Sequence, residues 1–88
     1  MNSKQLELLI AHYAGLMAGV VHLSRLVAHE ARISPESVAH SFQATADNIG
    51  PETKNQEILQ KVLNQIAAGI SSATSVQEIQ SDLRNTLH

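Results

Sequence analysis

Apolar residues recur along the first third of the chain at alternating spacings of three and four, which is the repeat of an amphipathic helix. The first row of apolar positions comprises Leu6, Leu9, Tyr13, Leu16, Val20, Leu23 and Val27. A second row beside it comprises Ile10, Ala14, Met17, Val21, Ala28 and Ala31. At 100° per residue the two rows cover about half of the helix circumference. The pattern predicts one long spine helix over residues 3–32 that needs other helices around it.

Capping residues predict where the spine helix begins and where a second helix lies. Asn2 or the serine after it can cap the spine helix, Asn2 as part of an imperfect capping box. Ser34 can cap the second helix, and Pro35 suits its first position. The second helix is expected to end where Gly50 adopts a left-handed conformation and Pro51 prevents continuation.

Two further helices follow in the same way. The third is expected to begin at Pro51 or after Thr53, whose partner Gln56 completes a capping box. Ser75 and Glu78 make a capping box for the fourth. No strand pattern is visible, and the short connections make successive helices neighbours. The sequence therefore predicts a single all-α domain over residues 1–88, a small four-helix domain with a long N-terminal spine helix.

The length of the spine helix predicts self-association. A continuous helix over residues 3–32 is about 45 Å long, more than a compact domain of this size covers with its own short helices. Its small-residue strip includes a GxxxG pattern, which favours close helix packing but also arises by chance. We therefore expect a homodimer or higher oligomer. The predicted interface comprises Leu9, Tyr13, Gly15, Leu16, Gly19, Val20 and Leu23.

The second half of the spine helix carries basic side chains, which we expect to face water. Together with one histidine of the second helix they predict a protein-interaction surface, with a plain solvated face as the alternative. The residues of this surface are His22, Arg25, His29, Arg32 and His40. His22 and His29 are separated by about 10.5 Å of helix rise, too far for two ligands of one ion. We therefore expect no metal and no other cofactor.

Composition narrows the function classes further. The net charge of -2 gives no strong attraction for a polyanion, and the absence of cysteine excludes disulfides, thiolate metal sites and cysteine nucleophiles. No G-x-S-x-G elbow or glycine-rich phosphate loop is present, so we expect no enzymatic activity. The apolar run over residues 6–21 is shorter than a bilayer span and contains Glu7 and His12. We read no targeting segment, and expect a cytoplasmic protein that does not enter the membrane.

These observations favour a non-catalytic protein-interaction module, such as a small regulator, inhibitor or assembly component, acting through a helical surface as a homo-oligomer. Its expected partners are a second copy of itself and another protein. The alternative is a small DNA-binding regulator with a helix-turn-helix-like segment in helices two and three. Only Lys54 and Lys61 supply positive charge there, which makes nucleic acid the weaker choice. A third class would place a ligand or catalytic site at the dimer interface.

Overall fold

The computed structural model describes residues 2–72 and 76–87. This part of the chain forms four helices and no strand, so the all-α, four-helix prediction is confirmed. In chain order the helices are α1 (Ser3–Ala31), α2 (Pro35–Asp47), α3 (Gln56–Ser72) and α4 (Val76–Leu87).

The first two helices begin at the predicted caps. The Asn2 side chain accepts a hydrogen bond from the Gln5 backbone at 2.8 Å. The Gln5 side chain accepts one from the Asn2 backbone at 3.1 Å, which completes the capping box. At α2 the Ser34 hydroxyl accepts from the Ser37 backbone at 3.2 Å, and Pro35 takes the first helical position. These caps satisfy backbone donors that have no partner within the helix.

The end of α1 is closed by a residue in the left-handed conformation. Arg32 has a φ of 59°, and its N–H bonds to the carbonyl of His29 at 3.2 Å. The N–H of Ile33 bonds to the carbonyl of Ala28 at 3.0 Å. This pair of bonds is a Schellman motif, in which glycine is the usual residue at the left-handed position. Arginine holds that position here with a strained backbone.

The end of α2 differs from the prediction. None of the described glycines has a positive φ, so Gly50 does not form a left-handed cap. The N–H of Ile49 bonds to the carbonyl of Ala46 at 3.2 Å, and two amide side chains of α3 add further donors. Gln56 donates to the carbonyl of Ile49 at 2.9 Å, and Gln60 donates to the carbonyl of Ala46 at 3.0 Å. These bonds satisfy carbonyls at the end of α2 and hold the two helices side by side.

The start of α3 also differs. The helix begins at Gln56, later than either Pro51 or Thr53, and follows Asn55 with a φ of 62°. The predicted capping box is absent because the Gln56 side chain donates instead to the carbonyl of Ile49, which follows the end of α2. The predicted cap of α4, Ser75, lies outside the described residues.

The core lies on one side of α1, which contacts α2, α3 and α4, while α2 and α3 pack most extensively on each other. The buried core residues are Ile10, Ala14, Met17, Val21, Ala39, Ile66, Ala67, Ile70, Ile79 and Leu83. The second apolar row of α1 is therefore buried, except for Ala31 at the end of the helix, which is exposed. Near the start of α1, the guanidinium of Arg84 in α4 donates two hydrogen bonds to the carboxylate of Glu7, of 3.0 and 2.7 Å. The hydrogen bonds and charge of Glu7 raise the pKa of Arg84.

The arrangement produces a flat molecule. Its Cα atoms extend over 45 × 32 × 14 Å, and the radius of gyration is 13.7 Å, against about 12 Å for a compact domain of this length. The accessible surface is 5990 Å², whereas a compact monomer of this mass has about 5,050 Å². The chain therefore exposes about 900 Å² more surface to solvent than a compact monomer of the same mass.

Candidate interaction surfaces

The side of α1 away from the core exposes large apolar side chains. Seven of them are between 37% and 67% exposed, and Leu16 is the most exposed. The seven are Leu8, Tyr13, Leu16, Val20, Leu23, Leu26 and Val27. Together with Leu9, which is half-buried, and the exposed Gly15 and Gly19, they span about 160° of the helix circumference. We call these ten residues the open face of α1.

The structure places all seven residues of the predicted oligomer interface on this open face. The sequence interpretation assigned Leu8, Leu26 and Val27 no part in that interface. Leu8 and Leu26 could have been found from their spacing of seven on either side of Gly15 and Gly19, which puts all four on neighbouring parts of the helix surface.

The two glycines of the open face have no neighbour in the chain. A Cβ built on Gly15 or Gly19 meets no heavy atom within 4 Å. Each glycine costs α1 about 1 kcal/mol relative to alanine, and no close approach within the fold requires either of them. The fold itself therefore supplies no close contact that would compensate this cost.

The basic residues of α1 fall into two groups. His22, His29 and Arg32 are exposed as expected. The expectation that Arg25 faces water is wrong, because its side chain is partly buried and its guanidinium donates to the carbonyl of Ile70 near the end of α3. Arg25 thereby ties α1 to α3 and satisfies a carbonyl that has no partner within the helix.

Three exposed side chains remain available to a partner at this end of α1, namely His22, His29 and Arg32, which we call the charged strip. His22 and His29 occupy a part of the α1 surface between the buried side and the open face, and Arg32 follows the end of the helix. The last predicted residue of the interaction surface, His40, is exposed on α2. It lies about 100° around that helix from the buried Ala39.

A groove lies between α1, α3 and α4. Its volume is about 240 Å³, and its lining includes Met17, Ala68, Ile79, Lys61 and Asp82. Small-molecule sites usually occupy about 300–1,000 Å³, so this groove offers little room for a ligand. Within the described residues no three His, Asp or Glu side chains are grouped to hold a metal ion.

The segment considered for DNA binding has an unfavourable geometry. Residues 48–55 separate α2 from α3, whereas the turn of a helix-turn-helix has three or four residues. The α3 face that contains Ile66, Ala67 and Ile70 is buried. The helix is therefore committed along much of its length to packing on its neighbours.

Comparison with known proteins gives no relative, since no protein-family model, no curated protein and no solved structure matches the chain. Within the described residues α1 is the one helix long and apolar enough to cross a membrane by length and composition. Core helices of soluble proteins and N-terminal signal sequences meet the same criterion. The basis for a function is therefore the geometry of the surface.

Proposed function

We propose that the protein is a non-catalytic protein-interaction module. It forms a homodimer through the open face of α1 and binds another protein through the charged strip. The observation that carries this proposal is the row of apolar side chains on the open face of α1, seven of them large and more than a third exposed. Contiguous apolar patches of more than a few hundred Å² are rare on monomeric proteins and mark contact surfaces.

The amount of surplus surface supports a second copy as the occupant of the open face. The chain exposes about 900 Å² more than a compact monomer of its mass. A stable protein interface of standard size buries about 800 Å² on each partner. Burying the open face against the same face of a second copy would therefore bring the surface of each chain close to that of a compact fold.

The charged strip remains accessible in such a dimer. His22 and His29 lie about 90–110° around α1 from the middle of the open face, and Arg32 follows the end of the helix. The strip has no acidic member and presents arginine beside two histidines, so it fits an acidic surface on a partner protein. Such rim charges mainly raise the rate and specificity of association.

Light scattering after size exclusion tests the homodimer. One chain has a mass of 9.5 kDa, so we expect twice that mass at micromolar concentration. Leu16→Asp together with Leu23→Asp should give the single-chain mass, because charge would then be buried in the contact. Ile58→Asp is the matched control, since Ile58 is 53% exposed on α3 and should remain dimeric. A single-chain mass for the unaltered protein would overturn the proposal.

Charge reversal tests the partner surface. His29→Glu with Arg32→Glu should abolish capture of a partner that the unaltered protein retains, while circular dichroism stays unchanged. Arg25 is left in place because it bonds to α3. Lys54→Glu is the control, a charge reversal at an exposed residue outside the strip. Equal capture by all variants would overturn the assignment of the charged strip as the partner surface. Binding of random duplex DNA at low salt would indicate that the partner is a nucleic acid and not a protein.

A further inference from the structure

We infer that two copies of α1 pair antiparallel, in a register where the numbers of the residues at equal height in the two copies sum to 35. This inference rests on the proposed homodimer and adds its orientation. A two-fold axis between residues 17 and 18 relates the two copies. If residue number n is placed at an angle of n × 100° around the helix, the middle of the contact falls at about 130°, close to the centre of the open face.

The first support is the match between large and small side chains. Leu16, which is 67% exposed, lies beside Gly19 of the second copy. Gly19 provides space for this side chain, because a Cβ built on Gly19 meets no heavy atom within 4 Å. Interfaces pack to the density of protein interiors, which requires such pairing of large with small residues.

The same register pairs the outer parts of the open face. A two-fold axis keeps each side chain on its own side of the contact, so Leu8 lies nearest to Leu26 and Leu9 lies nearest to Val27, while Leu23 meets His12. Apolar side chains therefore pair at both ends of the contact, and each Leu23 covers a histidine between them. A register shifted by several residues would leave apolar side chains at one end exposed to water.

Charge and packing both disfavour a parallel pair. In a parallel dimer each residue lies beside its own copy, so that Leu16 crowds Leu16 and the glycines face a gap. Lys4 would also meet Lys4, and Glu30 would meet Glu30. In the antiparallel register Lys4 of one copy lies at the height of residue 31 of the other, one residue from Glu30, at both ends of the contact, and the helix dipoles oppose each other.

The orientation has a consequence for partner binding. The two-fold axis is perpendicular to the helix pair, and both charged strips lie on the same side of the open face. The strips therefore point to one side of the dimer. Residue 29 of one copy lies at the height of residue 6 of the other, so the two strips are about 35 Å apart along α1. The dimer is bivalent and fits an acidic partner that is itself two-fold symmetric.

Disulfide trapping tests the register, and the chain contains no cysteine that would interfere. His12→Cys and Leu23→Cys chains, carrying different tags, are mixed under mild oxidation. The antiparallel register predicts a mixed disulfide between positions 12 and 23, because Cα atoms within about 7 Å can be bridged. Neither variant alone should cross-link, since copies of residue 23 lie about 16 Å apart along the helix.

The alternative outcomes separate the register from the dimer. Efficient cross-linking of Leu23→Cys alone would overturn the antiparallel orientation while leaving the homodimer intact. A dimeric mass in light scattering without a mixed disulfide, for both this pair and Leu9→Cys with Val27→Cys, would overturn the register. A single-chain mass for the unaltered protein would overturn the homodimer itself. Ile58→Cys, exposed on α3, is the control for random collision and should not cross-link.

Discussion

Replacing Gly19 by alanine should affect folding and dimer formation in opposite directions. A Cβ at Gly19 meets no heavy atom within 4 Å, so the methyl group fits the single chain without rearrangement. Glycine inside a helix costs about 1 kcal/mol relative to alanine. For a domain of this size that corresponds to a Tm higher by about 4–8 °C. The increase is measured by thermal unfolding in a chain kept monomeric by Leu16→Asp together with Leu23→Asp.

In the dimer the same methyl group enters space that Leu16 of the second copy occupies. Overpacking a close contact costs about 1–3 kcal/mol, and the symmetric dimer contains this contact twice. We therefore expect dimer formation to weaken by about 2 kcal/mol, which raises the Kd by about 30-fold. Sedimentation equilibrium of Gly19→Ala beside the unaltered protein measures the change.

Ala11 provides the matched control because it is exposed on α1 outside the open face. Ala11→Gly should lower the Tm of the monomeric chain by a similar amount and leave the Kd of the dimer unchanged. An unchanged or lower Kd for Gly19→Ala would refute the placement of Gly19 in the dimer contact. A lower Tm of the monomeric chain would refute the open space around it.

Three further substitutions test the fold. Arg32→Gly should raise the stability to urea by about 1 kcal/mol, because glycine adopts the left-handed conformation without strain; a loss would contradict the strained cap. Ile70→Ala should lower the stability to urea by about 2–5 kcal/mol, since Ile70 is fully buried. A smaller loss would mean that the surrounding side chains collapse into the cavity. Asn2→Ala should lower the helix content and cost about 1 kcal/mol, and an unchanged thermal transition would show that the capping box contributes nothing.

The features that depend on neighbouring residues could be predicted from the sequence. Asn2 and Ser34 cap helices because their side chains reach backbone groups three residues away, and Pro35 fits the first helical position wherever a helix begins. The regular spacing of apolar residues likewise defined four helices. Each of these signals acts within one helical turn, so no knowledge of the tertiary arrangement was needed.

The errors arose where a distant group replaced the local one. Gly50 was expected to end α2 with a left-handed turn, but side chains of α3 supply donors to the last carbonyls, so that conformation is not required. Gln56 was assigned to a capping box and bonds to Ile49 instead. Arg25 was expected to face water, whereas its partner is the carbonyl of Ile70, 45 residues further along the chain. Residue types at short spacing carry no information about such partners.

The composition of α1 acquires a physical explanation from its two apolar sides. A helix that is apolar around most of its circumference is usually buried in a large protein or spans a membrane. Here one side, with Ile10 and Val21, is buried against the helices of its own chain, and the open face is available to a second copy. Insertion into a bilayer would strip α2, α3 and α4 of that buried side and expose Ile66 and Ile70 to water. Burial of each such side chain contributes about 1.5–3 kcal/mol. A second copy can cover the open face while these side chains stay buried. A bilayer that surrounds the helix would expose them.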